Sequence, residues 1–194
     1  MVNLPIFRST YFLSIAHQIV SLISGVISAL LLPNLLGAEL RGDWFYIAQI
    51  ISLTTLVISW GIPQAIIQIH SHKFANIDIR DYIGSINYIQ IILSLSAIAF
   101  LTLYDNQITI WQHTFILTCT ILNVTTANYS HILNTKTNGI FLVLLISIKS
   151  QILFTFMILC ASILAESAIL YALLYTVMLL YILIKFKSIM RKLN

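Results

Sequence analysis

Charge is what this sequence has least of: ten Lys and Arg and six Asp and Glu in 194 residues, against 59% hydrophobic side chains. A soluble domain carries about a quarter of its residues charged, so 8% leaves too little polar surface for water, and the bilayer becomes the expected solvent. Cysteine is nearly absent. Neither Cys119 nor Cys160 has a loop position or a metal-ligand neighbour, so both read as thiols within helices, and no disulfide or zinc framework follows. The net charge of +4 does not mark a nucleic-acid binder, because the basic residues stand in short joints and at the C-terminus.

What the chain does have is long uncharged runs. They cover Ser9 to Ala38, Trp44 to His72, Tyr82 to Tyr104, Asn106 to Thr135 and Ser167 to Ile184, with a further run from Thr137 to Ala165 broken by Lys149 alone. Each reaches the roughly 18 to 20 residues that cross about 30 Å of hydrocarbon at about 1.5 Å per residue. The expectation is one all-α membrane bundle of six spans, at about 10–36, 44–69, 82–103, 108–134, 139–165 and 167–184. The first run is too long for a signal-peptide core and reads as a retained span. Gly37 is a candidate terminator of span one, Asp43 a candidate N-cap of span two, and Pro63 a kink within it. Asn138-Gly139 reads as the turn into span five.

Orientation follows from where Lys and Arg fall. With the N-terminus inside, the inner side collects Arg8, Lys73, Arg80, Lys136, Lys185, Lys187, Arg191 and Lys192, eight of the ten. Arg41 alone falls outside and Lys149 lies within the membrane, so both termini are expected on the cytoplasmic side.

Polar residues inside the spans recur at helical spacing: Ser14, His17, Gln18, Ser21, Gly25 and Ser28 on span one; Asn87, Gln90 and Ser94 on span three; Cys119, Asn123, Thr126, Ser130 and Asn134 on span four; Ser147, Gln151 and Thr155 on span five. Two readings stand. Such stripes let membrane helices approach closely and hydrogen-bond, or they line a polar central cavity. Lys149, about 15 Å along span five, has no Asp or Glu within any span to neutralise it, and an intramembrane cation reads as part of a substrate path or as a packing or snorkelling residue. His17 is either a proton or phosphate ligand or a neutral imidazole held by a neighbouring helix. The Asn123-Val124-Thr125 and Asn128-Tyr129-Ser130 triplets match a glycosylation pattern but lie within a span, as chance matches. Motifs for catalysis are missing: there is no HExxH, no Gly-rich phosphate loop and no acidic pair outside the joints. Neither an enzyme nor a cofactor-binding protein is expected.

The stretch Leu32-Pro33-Asn34-Leu35-Leu36-Gly37-Ala38-Glu39-Leu40-Arg41-Gly42-Asp43 resembles the first outer joint of the oligosaccharide flippases, the O-antigen and polysaccharide transporters of the MATE-like exporter superfamily. Trp60-Gly61-Ile62-Pro63-Gln64-Ala65 is similar to the element near the inner end of their second helix, and Ile132-Leu133-Asn134 with Asn138-Gly139 to their turn between helices four and five. The resemblance implies the first six-helix lobe of a two-lobe transporter that moves an oligosaccharide on polyprenyl pyrophosphate across the bacterial inner membrane. On that reading Arg8 and Lys149 draw the pyrophosphate, hydroxyl and amide groups on spans one, two and four meet the sugar, and His17, Gln18, Asn123 and Gln151 belong with them to the substrate-binding set. One lobe cannot enclose a cavity, so the expectation is a half-size or truncated transporter completed by a second copy or a missing lobe. The competing expectation is a membrane scaffold or remnant that transports nothing.

Overall fold

A computed structural model describes residues 4–59, 61, 62, 65, 79–104, 109–135, 139–164 and 168–193. The fold is all-α: among the described residues the chain forms helices α1 (Leu4–Ser59), α2 (Ile79–Tyr104), α3 (Ile110–Thr135), α4 (Gly139–Leu164) and α5 (Ala168–Leu193), with no strand. Each of the last four is 26 residues long, about 39 Å, enough to cross a bilayer. Four segments are both long and apolar enough to do so: Thr10–Leu31, Gly42–Ser59, Gly139–Cys160 and Ile169–Arg191. A shorter apolar stretch, Gly84–Phe100, lies in α2.

Two helices, α3 and α4, start and stop within two residues of the expected limits, α2 starts three residues early, and the other two depart further from them. The sequence places a joint between spans one and two, but α1 runs unbroken for 56 residues through Pro33, Gly37 and Gly42. Gly37 therefore does not terminate a helix, and Asp43 is not an N-cap. Gly costs only about 1 kcal/mol relative to Ala in a helix interior, and the intervening Ala38, Glu39, Leu40 and Arg41 all favour helix. The break comes later: α1 ends at Ser59, and Gly61 takes a left-handed φ of 78°. Ile62 and Ala65 are helical, and the Ala65 amide donates to the Gly61 carbonyl at 3.0 Å. The expected kink at Pro63 and the end of span two at Ile69 lie outside the described residues. At the other end, α5 continues nine residues past Ile184, through Lys185, Lys187, Arg191 and Lys192. Lys and Arg are strong helix formers and suit the negative end of the helix dipole.

The helices fall into two compact units, 1–44 with 133–194, and 45–132. In the first, α4 and α5 pack against each other. The Tyr171 ring stands edge-on to Trp44, with centroids 4.5 Å apart, and to Phe154 at 5.9 Å; Phe154 also meets Tyr175 at 5.9 Å. Such edge-to-face pairs are worth about 0.5 to 1.5 kcal/mol each beyond their buried area. Gly139 opens α4 where a Cβ would overlap the backbone carbonyl of Leu133, so the expected turn position admits only glycine.

In the second unit, Ile47, Ile51 and Ile58 of α1 are buried at helical spacing, as are Gln90, Ser94 and Ile98 of α2. Buried positions are densest on α3, where Ile116, Cys119, Thr120, Val124, Asn128 and Ile132 are each at most 1% exposed. This helix is long enough to span, yet it is not among the segments apolar enough to face lipid. Burial inside protein is what lets a membrane-length helix carry that many polar side chains.

Candidate functional site

Polar residues of the spans divide by where their hydrogen bonds go. Hydroxyls mostly close onto their own helix: Ser52, Thr54, Ser59, Ser94, Ser96, Thr114, Thr118, Thr125, Thr155 and Thr176 each donate to the carbonyl four residues back, at 2.6 to 3.0 Å. A hydroxyl satisfied this way asks nothing of a neighbouring helix. Amides are too long and carry too many donors for that, and they cross between helices.

In the second unit the Asn128 side-chain amide of α3 donates to Asn87 Oδ1 at 2.8 Å and to Gln90 Oε1 at 2.6 Å, both on α2. Gln90 Nε2 lies 3.4 Å from the Ile58 carbonyl of α1. Asn128 and Gln90 are 1% and 2% exposed, so these bonds are made away from solvent and lipid alike. Three helices are joined by two amide side chains.

In the first unit the Gln151 amide of α4 donates to Ser21 Oγ on α1 at 2.8 Å, and the hydroxyl donates back to Gln151 Oε1 at 3.0 Å. His17 sits one turn before Ser21, its Nε2 3.5 Å from the same amide nitrogen. This is the arrangement of an imidazole held by a neighbouring helix. Little else of the first apolar segment of α1 is covered: Phe12, Leu22 and Leu30 are each about 70% exposed.

The structure thus unites His17 and Gln151 of the expected site residues and adds Ser21. Gln18 is exposed on α1, and Asn123 is half-buried on α3 with no hydrogen-bond partner among the described residues. Lys149 is exposed on α4, about 200° around the helix from Gln151 at 100° per residue. The side chain of Arg8 lies outside the described residues.

Two features escaped sequence reasoning. Asn128 lies about 140° around α3 from Asn123, off the stripe that the spacing picks out, and the glycosylation pattern was its only visible signal. The other is a set of buried polar atoms without a partner among the described residues: Oγ1 of Thr55, Thr120 and Thr126, and Nε2 of His113. His113 Nδ1 is 3.1 Å from the Thr109 carbonyl, which leaves its second nitrogen as the orphan. His113 and Thr120 are seven residues apart, on one face of α3. Buried orphans of this kind are uncommon and are normally met by water or a ligand.

No family model, no curated protein and no solved structure matches this chain.

Proposed function

We infer that this chain forms one lobe of a transporter that moves an oligosaccharide on polyprenyl pyrophosphate across the bacterial inner membrane, without covalent chemistry. The observation that carries the reading is α3, a helix of spanning length whose buried faces hold Asn128 and the hydroxyls of Thr120 and Thr126, which have no partner among the described residues. Unmet hydrogen-bonding groups inside a membrane protein suit a cargo dense in hydroxyls better than an apolar one. Asn123 on the same helix supplies a further amide contact for sugar; the other unit, taken by itself, offers the amides of Gln18 and Gln151 and the imidazole of His17 as polar contacts, and Arg8 as a cation for pyrophosphate.

In this proposal both termini face the cytoplasm, as the distribution of Lys and Arg requires. A straight α1 of about 84 Å cannot hold Thr10–Leu31 and Gly42–Ser59 in one slab about 30 Å thick. Both segments cross the bilayer only if α1, continuous through Gly37 and Gly42 in the structure, breaks at the stretch carrying Glu39, Arg41 and Asp43, and the proposal includes that break. A second wall, from another copy, a partner or a further segment, encloses the cargo.

Transport of lipid-linked oligosaccharide by the purified protein in liposomes tests this. Thr120→Val with Thr126→Val is expected to lower the rate at least severalfold while leaving the helical content unchanged. No transport by wild type, with or without co-reconstituted partner chains from the native membrane, would reject the reading. A second reading, a scaffold that moves nothing, is favoured by the Asn87, Gln90 and Asn128 bonds, because groups already paired across helices act as glue.

A further inference from the structure

Lys149 presents a problem that no partner among the described residues solves. It lies two to three residues from the middle of α4, about 4 Å along the axis, and its side chain is exposed. With α4 centred in the bilayer, about 11 Å of hydrocarbon separate it from the nearer interface, more than a four-carbon stem can span. An ammonium left there costs about 2.5 to 3.5 kcal/mol on insertion scales. Its surroundings on that face are apolar: Ile152, Leu153 and Phe156 are all exposed beside it, Ile158 is buried on the opposite side, and the buried Ile146 and Ser150 border the face about 60° and 100° around the helix. Gln151, turned toward Ser21, is not available to it.

We propose that this face of α4 docks a transmembrane helix of a different protein, one that carries an Asp or Glu near the middle of the bilayer opposite Lys149. Charge complementarity selects the occupant. A second copy of this chain cannot provide the carboxylate: Glu39, Asp78, Asp81, Asp105 and Glu166 fall outside every apolar segment, and Asp43 is the second residue of one, at its edge. Lipid phosphates stay at the interface, above the ammonium. Ile152, Leu153 and Phe156 provide the apolar contact around the pair, and the ion pair fixes rotation and depth of the incoming helix. The proposal rests on the transport reading only in naming this helix as part of the second wall.

The test places purified chain, dye-labelled at its C-terminus, in phosphatidylcholine vesicles with a synthetic leucine-alanine transmembrane peptide whose central residue is either Asp or Leu, and reads association by energy transfer. Wild type is expected to hold the Asp peptide about tenfold tighter than the Leu peptide. Lys149→Leu, which suits lipid and removes the charge, is expected to abolish the preference, and Lys149→Arg to retain it. Equal association of both peptides with wild type would overturn the proposal. So would a Lys149-dependent self-association without peptide preference, or enrichment of labelled phosphatidylglycerol around wild type but not Lys149→Leu, since these identify a second copy or a lipid as the occupant. No transport is read, so this result and the transport assay can fail independently.

Discussion

At the scale of single residues, the distinction between a hydroxyl and an amide decides what a polar side chain does within hydrocarbon. Thr118 and Ser96 close onto Thr114 and Ile92 of their own helices, so Thr118→Val and Ser96→Ala are expected to shift stability by less than about 0.5 kcal/mol. Asn128→Leu removes two bonds and leaves the half-buried Asn87 and the buried Gln90 oxygens without that donor. A loss of about 1 to 2 kcal/mol is expected, read from the midpoint of unfolding in a detergent titration. Equal effects of the two kinds of substitution would show that the amides are not the joints between helices. Gly139→Ala is a third case: its Cβ meets the Leu133 backbone rather than a movable side chain. It is expected to cost at least about 1 to 3 kcal/mol in the same titration, whereas Gly25→Ala, with open space around it, costs nothing.

At the scale of elements, the ends of α2, α3 and α4 were legible because composition changes abruptly there. Asp105 and Asn138-Gly139 interrupt apolar runs that have no other reason to stop. The middle of α1 was not legible, since Gly37 and Gly42 read as breakers while the four residues between them and the cooperativity of a long helix favour continuation. Face assignment succeeded where neighbours could be paired by spacing, as with His17 and Ser21. It failed for Asn128, because sequence periodicity gives angles around a helix but not which angle meets protein. Contact of α1 with α4 is the element-level consequence most easily checked. In a background lacking Cys119 and Cys160, Ser21→Cys with Gln151→Cys is expected to form a cross-link with a short bifunctional methanethiosulfonate reagent, seen as a mobility shift on a gel. Leu22→Cys with Gln151→Cys, which moves the thiol to an exposed face, is expected not to. Cross-linking of the second pair but not the first would remove the His17, Ser21 and Gln151 cluster.

At the scale of the whole molecule, length and composition were sufficient for the fold class, because few architectures other than helices satisfy every backbone group in hydrocarbon. They were not sufficient for activity. Polar helices that glue and polar helices that line a route have the same composition, and they separate only by which groups remain unpaired, a property that Thr120, Thr126 and His113 acquire through burial. The arrangement in the bilayer underlies both the transport reading and the depth assigned to Lys149, so it bears the most direct test. Single cysteines at Glu166→Cys and Arg191→Cys, again without Cys119 and Cys160, are to be labelled in intact cells with a membrane-impermeant maleimide. The account expects Glu166→Cys to react from outside and Arg191→Cys only after permeabilisation; reaction of both from the same side would contradict it.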